Sequence, residues 1–318
     1  MLIIHGSHTV DRPLAVTIGN FDGVHRGHQA MVARTIAAAD SRGLRSCVLT
    51  FEPHPREFFA SSDAPTRLTS LREKLELLDG LGIECAYLAR FNRRFASRPA
   101  EEFVNDLLFG QLRAAWILVG EDFRFGARRA GDLPLLSALA KGAGVEVEVI
   151  ETVTDHGIRI SSSAVRAALA QGELERAESL LGRRYGISGR VVHGDKLGRT
   201  LGFPTANVQL RHNRPPLLGI YAVRVHGIAT EPLDGVASLG YRPTVSNATR
   251  AQLEVFVFDF NGELYGCHVR VEFIAKIRDE EKYESLDELK VAIERDCTAA
   301  REILQQRVPH GTAEVRNV

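Results

Sequence analysis

Short apolar runs alternate with longer amphipathic stretches through residue 183 or so. Runs of strand type are predicted near residues 14–20, 46–51, 84–89, 115–119 and 145–150. Helices are predicted between them, at residues 27–42, 70–80, 99–110 and 133–142. This alternation predicts an α/β domain built on a doubly wound, mostly parallel sheet.

The pattern changes after Tyr185, where strand-like runs follow one another at short spacing with glycine turns between them. Asn261-Gly262 is a hairpin signal between two such runs. The chain closes with a helix predicted from Leu286 to about Gln305. We therefore expect two domains, 1–183 with the parallel sheet and 184–318 with a small antiparallel β-barrel and a C-terminal helix.

The composition restricts the class of protein but does not indicate a function. The chain has 318 residues, of which 44% are hydrophobic, and 40 basic side chains balance 40 acidic ones. A net charge of zero favours neither nucleic acid nor a membrane surface as a partner. The start MLIIHGSHTV is not typical of a signal peptide, so we expect a cytoplasmic protein. The cysteines show no CxxC spacing and are expected to be reduced.

The run GNFDGVHRGHQ, residues 19–29, lies where the first long strand is expected to turn into a helix. Glycines there let a ligand approach the backbone, and the free N–H groups at a helix start attract anions. His25 and His28 add two side-chain donors for phosphate. Two other interpretations stay open: a tight turn with capping or surface histidines, and a zinc pair, for which no nearby residues complete the ligands.

Two more segments are candidates for the same site. GEDFRFGARRAGD, from Gly120 to Asp132, follows a predicted strand and so falls on the same edge of the sheet as His25. ISSSAVR, Ile160–Arg166, puts three serines before a helical stretch, where they could cap the helix or, with Arg166, cradle a phosphate. Taken alone, each segment is equally compatible with an ordinary loop or cap.

A second candidate site lies in the barrel half. No GxxxxGK[ST] loop occurs, but GRTLGFPTAN ends with Pro204 stiffening a turn before Thr205 and Asn207. In an extended segment these two side chains project the same way, and their oxygens suit magnesium. As a bare PTAN, the string is also an ordinary loop sequence.

Glu254 is a separate signal within LEVFVFDF. Period-two alternation puts it on one face with Phe256, Phe258 and Phe260, and puts Leu253, Val255 and Val257 on the other. An acid on an aromatic face suits a general base, although the exposed start of a strand would also explain it.

These motifs together resemble a known family. GNFDGVHRGHQ resembles the HxGH signature of the nucleotidyltransferase superfamily in the form found in prokaryotic bifunctional riboflavin kinase/FAD synthetases. VGEDFRFG, FEPHP, LTSLREKLELL and ISSSAVR are similar to further family stretches, with Ser163 where Thr is usual. GxxxGFPTAN and GYRPTV resemble riboflavin kinases. Arg98 and Pro99 depart from the family pattern, and nothing in the sequence explains this.

For the first domain, the resemblance implies a Rossmann-like nucleotidyltransferase that transfers AMP from ATP to FMN, giving FAD and pyrophosphate. His28 and His25 would then hold the triphosphate and stabilise the leaving pyrophosphate. The phosphate chain and nucleotide would be held by the residues that match the family motifs around them: Gly19, Phe21, Asp22, Gly27, Asp122, Ser161, Ser162 and Arg166.

For the second domain, the resemblance implies phosphorylation of riboflavin by ATP. Glu254 matches the family's catalytic glutamate, Thr205 and Asn207 would bind Mg²⁺, and Gly198 and Pro204 would contact the nucleotide. Residues 194–198 would form a mobile loop over the phosphates. The small molecules expected are riboflavin, FMN, FAD, ATP and Mg²⁺.

The sequence also allows functions of other classes. The first domain could transfer nucleotide to another small substrate, or the chain could be a non-enzymatic flavin-binding regulator. A class I aminoacyl-tRNA synthetase would also contain HxGH, but no KMSKS-like segment occurs. The sequence leaves open whether the protein is a homo-oligomer.

Overall fold

A computed structural model describes residues 1–6, 10–59, 64–155, 157–194, 201–211, 214–243 and 249–306. The chain divides into two compact units. The first comprises Met1–Val165 with Leu180–Gly182, and the second comprises Arg166–Ser179 with the residues from Arg183 onward.

The first unit is built on a six-stranded parallel sheet in the order β1-β4-β3-β2-β5-β6. Its strands are β1 Leu2–His5, β2 Leu14–Ile18, β3 Arg45–Glu52, β4 Cys85–Arg90, β5 Ala114–Gly120 and β6 Glu146–Ile150. The predicted doubly wound parallel sheet is confirmed. All of β2 is buried, as befits a central strand covered on both faces. Only β1 and the short hairpin β7 Thr154–Asp155 and β8 Ile158–Arg159 were not expected from the pattern.

The helices predicted at residues 27–42, 70–80 and 133–142 are present, and shorter helices lie between them and after β8. They are α1 Arg26–Arg42, α2 Pro55–Phe59, α3 Leu71–Gly80, α4 Arg93–Ala96, α5 Ala100–Glu102, α6 Leu133–Ala143, α7 Ser162–Ala170 and α8 Leu174–Leu181. The helix predicted at 99–110 differs in kind, because after α5 the chain continues as a π-helix over Phe103–Gln111. The Leu112 N–H donates to Leu107 C=O across five residues at 2.9 Å, which is the wider spacing of a π-helix.

The second unit contains a closed antiparallel barrel in the order β10-β13-β12-β11-β14-β9. Its strands are β9 Gly186–Val192, β10 Ala206–Val208, β11 Gly219–His226, β12 Leu233–Pro243, β13 Thr249–Val257 and β14 His268–Arg278. The final helix, α9 Leu286–Gln306, buries Ala300 and Leu304 against Phe258 and Ile274 of the barrel. The predicted barrel and C-terminal helix are confirmed.

The hairpin predicted at Asn261-Gly262 is wrong. β13 pairs with β10 and β12, whereas β14 pairs with β11 and β9, so the two strands that flank this dipeptide are not partners. The connection runs over residues 258–267 as turns and irregular chain. A short Asn-Gly signal reports local backbone preference and cannot report which strands pair.

The described residues also show the state of the cysteines and the character of the helices. All four cysteines are free thiols, and Cys47 and Cys85 are buried in neighbouring strands. Among the described residues, no helix has both the length and the apolar character that crossing a bilayer requires.

Candidate active sites

The turn between β2 and α1 lies at the point where the strand order of the parallel sheet reverses. β2 is flanked by β3 on one side and β5 on the other, and α1 follows it directly. Ligands of open α/β sheets bind outside the carboxyl ends of the strands at this point. The histidine motif therefore occupies the position where this fold presents a binding crevice.

The backbone of this turn is held in an unusual conformation. Phe21 and Val24 have φ values of 50° and 41°, in the left-handed region that bulky and β-branched residues rarely adopt. Gly23, with φ 81°, leaves no space for a side chain, since an added Cβ would lie 2.7 Å from Leu68 Cδ1. Strain of this kind persists where the surrounding structure imposes it, and it concentrates at functional sites.

His25 and His28 are brought together at the start of α1. The His25 side chain caps the helix, its Nδ1 accepting from the His28 N–H at 3.3 Å. The two imidazole rings stack with centroids 3.7 Å apart, and Phe21 lies 4.9 Å from the ring of His28. Because Nδ1 of His25 accepts a hydrogen bond, the neutral ring carries its proton on Nε2.

The protonation of His28 follows from its surroundings. Burial lowers its pKa well below the usual value of 6.5, and the charges of His25 and Lys74 lower it further. Its Nδ1 is buried and has no hydrogen-bond partner among the described residues. His28 is therefore a neutral imidazole at neutral pH, with one N–H to donate.

The glycines of the motif make room for these rings. A Cβ on Gly27 would lie 3.2 Å from Cε1 and Nδ1 of His25, and one on Gly19 would lie 3.1 Å from the Phe21 ring. Both contacts are tighter than ordinary side-chain packing. The glycines thus have a packing role at these positions besides the close ligand approach expected from the sequence.

The serine segment lies against this turn. Ser162 Oγ donates to the Asp22 carbonyl oxygen at 2.9 Å, and Ser161 Oγ accepts from the Ala164 N–H at 3.2 Å. Ser161 therefore caps α7, and Ser162 ties that helix start to the histidine turn. Arg166 lies one turn later in the same helix, within the residues of the second unit.

The two aspartates differ in their surroundings. The Asp22 carboxylate is buried and accepts from the N–H groups of Leu68 and Thr69 at 3.0 and 3.1 Å. Asp122 is exposed and forms an ion pair with Arg159 at 2.8 Å. Asp22 thus anchors the loop before α3, and a nucleotide-placing role for either residue stays a prediction.

Lys74 is a buried cation that the sequence reasoning missed. Its side chain lies in α3 with 3% exposure, and Nζ donates to Thr50 Oγ1 at 3.4 Å. Thr50 in turn donates to the carbonyl oxygen of Asn20, inside the histidine turn. Burial lowers the pKa of Lys74, while the charges of Asp22 and Glu52 oppose that effect. The signal was present, because Lys74 falls on the helix face of Leu71 and Leu78.

Arg67 is a second cation that sequence reasoning did not single out, and little of its side chain is exposed. It lies between Glu52 and Glu57 and bonds Glu52 through Nη1 and Nη2 at 3.0 and 2.8 Å. Its position in a loop gave no periodic signal. The carboxyl end of β3 is therefore surrounded by fixed charges of both signs.

A row of phenylalanine rings begins at the same sheet edge. Phe51 of β3 contacts Phe91, which follows β4, at a centroid distance of 6.0 Å. Phe58 and Phe59 continue the row with centroids 5.6 and 5.7 Å from Phe91. Phe59 is 69% exposed and Phe58 38% exposed. An exposed aromatic surface thus begins at the carboxyl edge of the strands next to the histidine turn.

The second unit has a cavity of about 490 Å³ on the outer face of the barrel. Thr205 and Glu254 line it together with the aromatic rings of Phe203 and Phe256, and residues at the start of α9 form its other wall. Glu254 is half-buried in the middle of β13, so the alternative of an exposed strand start does not apply. Phe256 shares its face, whereas β13 ends at Val257, so Phe258 and Phe260 lie beyond the end of the strand.

Asn207 and Glu254 are direct cross-strand neighbours of β10 and β13. Asn207 is 8% exposed, and Gln252 bonds both residues through its Nε2. Pro204 is exposed just before these strands, whereas Gly198 and residues 195–197 lie outside the described residues. The structure therefore brings Thr205 and Glu254 to the same cavity and Asn207 next to Glu254.

Two polar features of this cavity were not expected from the sequence. Arg278 forms a bidentate ion pair with Asp296 of α9, at 2.8 and 2.6 Å. Glu280 lies over Gly240, where an added Cβ would be 1.8 Å from its Oε1. Because Gly240 belongs to β12 and Asp296 to a distant helix, only the fold brings these residues together.

A metal site here would rest on few protein ligands. Among the described residues, no group of three or more His, Cys, Asp or Glu could hold a metal ion. The Thr205 hydroxyl and Asn207 amide instead offer neutral oxygens beside one carboxylate. This donor set fits Mg²⁺, which takes one or two protein oxygens and shares the rest of its coordination with phosphates and water.

Comparison with known proteins covers both units. The family model of FAD synthetase matches residues 7–164 and that of riboflavin kinase matches residues 181–304. The bifunctional riboflavin kinase/FMN adenylyltransferase of Escherichia coli is 49% identical over 306 residues, 95% of this chain and 97% of that protein. The protein of the same name from Haemophilus influenzae is 44% identical over 304 residues, 95% of this chain and 98% of its own length.

A solved structure also covers the whole fold. It is described as a macrolide-efflux protein from Streptococcus pneumoniae, and it matches 97% of this chain and 100% of its own with a TM-score of 0.79 and 30% identity. Similarity of this extent includes both units and both candidate sites. The chain belongs to the family of bifunctional riboflavin kinase/FMN adenylyltransferases.

Proposed function

We propose that this protein carries both activities of its family. It phosphorylates riboflavin with ATP to give FMN, and it adenylylates FMN with a second ATP to give FAD and pyrophosphate. The observation that carries the proposal is that each unit matches its own enzyme family and holds its own polar site. We assign residues 1–183 to the adenylyltransferase and 184–318 to the kinase.

Adenylylation takes place at the histidine turn. A phosphate oxygen of FMN attacks the α-phosphorus of ATP, and the bond to the β-phosphate oxygen breaks to release pyrophosphate. No protein nucleophile is needed, so positioning and charge stabilisation supply the catalysis. His28 and the Nε2–H of His25 donate to the phosphate chain, and the first N–H groups of α1 face the same charge. Ser161, Ser162 and Arg166 are proposed to hold the chain from α7.

The exposed phenylalanines support a proposed position for the flavin ring in this unit. Phe58 and Phe59 present edge-to-face rings at the carboxyl edge of the sheet. Flat aromatic ligands gain both apolar burial and ring stacking on such a surface. We assign the isoalloxazine ring of FMN to this surface and its phosphate to the histidine turn.

Phosphorylation takes place in the barrel cavity, whose volume is in the range of small-molecule sites. Glu254 accepts the proton of the riboflavin 5′-hydroxyl as that oxygen attacks the γ-phosphorus of ATP and ADP leaves. Thr205 and Asn207 would hold Mg²⁺, which supplies charge neutralisation for the phosphates when bound. Phe203 and Phe256 provide apolar walls beside the reacting group.

The proposal is tested by incubating the protein with riboflavin, ATP and magnesium and separating the flavins. Formation of FMN followed by FAD is the expected result. FMN alone would assign the first unit to another substrate. Unchanged riboflavin would reject the kinase assignment and leave a flavin-binding regulator as the interpretation to pursue.

A further inference from the structure

Gln252 lies between Asn207 and Glu254, two polar residues of the proposed kinase site. It is on β13, two residues before Glu254 and therefore on the same face of the strand. Its Nε2 donates to Glu254 Oε1 at 2.9 Å and also to Asn207 Oδ1. One amide nitrogen, with two N–H groups, thus joins the proposed proton acceptor to a proposed metal ligand.

The orientation of this amide is fixed by its neighbours. Both groups that it meets are acceptors, a carboxylate oxygen and a carbonyl oxygen. Reversing the Gln252 amide would put its own oxygen against the carboxylate and leave three acceptors facing one another. The arrangement with nitrogen toward both oxygens is therefore the stable one.

Asn207 is also held from its other side. The backbone of Gly194 packs against it so closely that an added Cβ there would lie 2.2 Å from Asn207 Nδ2. The Asn207 amide is nearly buried and lies close to Gly194, and the Gln252 donor is the contact that turns its oxygen toward Gln252. Its Oδ1 accepts from Gln252 with one lone pair and keeps the second for a cation.

We propose that Gln252 is a positioning residue for the kinase reaction. It fixes the Asn207 oxygen for the cation and holds the Glu254 carboxylate at a set distance from it. The inference rests on the proposed kinase function of this cavity. Removing a partner that orients a metal ligand commonly costs about 10- to 100-fold in metal affinity or activity.

The test compares Gln252→Met, which keeps the length of the side chain but has no donor, with Gln305→Met. Gln305 is exposed near the end of α9 and serves as the matched control. Binding of Mn²⁺ with ADP is measured by electron paramagnetic resonance, and riboflavin phosphorylation is measured against magnesium concentration. We expect weaker Mn²⁺ binding and a lower kcat, each by about 10-fold or more, with little change in the KM for riboflavin.

A merely structural role would lower the melting temperature and leave Mn²⁺ affinity and kcat within twofold of the wild type, which overturns the proposal. If Gln252→Met does not fold, Gln252→Glu keeps the shape and replaces the donor with an acceptor. Retention of its kcat would equally overturn the proposal. Wild-type protein without riboflavin phosphorylation would reject the kinase function instead, and Mn²⁺ binding would still report on Gln252.

Discussion

At the scale of single residues, the sequence identified residue types better than their roles. As their motifs predicted, the two histidines His25 and His28 lie at a helix start. Thr205 and Glu254 line one cavity of the barrel unit. Lys74 was missed although it broke the apolar face of its helix. Contacts between distant segments, such as Ser162 with the Asp22 carbonyl, have no local signal in a sequence.

Glu254→Gln tests the proposed general base. The change keeps the size of the side chain but removes its basicity, so riboflavin phosphorylation should fall by about 10²- to 10⁴-fold. Adenylylation of supplied FMN should continue. The exposed Glu263 gives the control Glu263→Gln, which should leave both rates unchanged.

Two other results would revise the role of Glu254. Near-normal phosphorylation with reduced stability would make it a structural acid of β13. Activity recovered at high magnesium would place it in the metal environment beside Thr205 and Asn207 instead.

The lowered pKa of His28 predicts a pH dependence of stability. Because the pKa is below 6.5 in the folded state, the unfolded chain binds more protons between the two values. The free energy of unfolding should therefore fall as pH drops below about 6.5, by at most ~1.4 kcal/mol per pH unit from this group. Urea unfolding of the wild type and His28→Asn from pH 7.5 to 5.5 measures it.

The comparison variant is His268→Asn, which removes an exposed imidazole far along the chain from the histidine turn. The prediction fails if His28→Asn keeps the pH slope of the wild type. His28 would then bind protons in the folded protein as it does in the unfolded chain, and burial would not be what keeps its imidazole neutral.

At the scale of elements, the period of the apolar residues predicted the strands and helices but not which strands pair. Alternation of the side chains placed Glu254 and Phe256 on one face of β13, as observed. It also predicted that the face continues to Phe260, which is wrong because strand pairing ends β13 at Val257. The Asn261-Gly262 signal failed for the same reason. The π-helix at Phe103–Gln111 was also beyond a pattern that assumes 3.6 residues per turn.

Gly27→Ala tests whether the start of α1 is shaped for the histidine pair. The added methyl group would press on the His25 ring at 3.2 Å and move it, while an alanine suits the helix itself. FAD formation should fall by roughly 10- to 100-fold, since small displacements of positioning groups have effects of that size. Thermal stability should change little.

Gly142→Ala is the matched control, because Gly142 also lies in a helix and has no atom within 4 Å of an added Cβ. It should keep full activity and gain up to about 1 kcal/mol of stability. Equal activity of the two alanine variants would show that the His25 position is not limiting.

At the scale of the whole molecule, the sequence predicted both fold classes because the apolar period changes near Tyr185. It could not predict the strand orders, which depend on long-range pairing. The division into two compact units also places Arg166–Ser179 in the unit that contains the barrel. Within that unit, Gly172 packs against Lys276. The functional boundary near residue 183 remains a proposal.

A fragment from residue 184 onward should fold and phosphorylate riboflavin, since the barrel has its own core. The longer fragment from Arg166 is the comparison. Circular dichroism and flavin separation report folding and activity. If only the longer fragment is active, α7 and α8 belong to the kinase module. If both are folded and inactive while the full chain is active, the first unit contributes to the kinase site.

The central claim, two independent active sites in one chain, is tested most directly by His28→Ala and Glu254→Gln assayed singly and mixed. His28→Ala should accumulate FMN from riboflavin and slow FAD formation by about 10²-fold or more. Glu254→Gln should leave riboflavin unphosphorylated yet convert supplied FMN to FAD. Mixing the two should restore FAD synthesis from riboflavin. Folded variants that each lose both activities, with no recovery on mixing, would contradict the account.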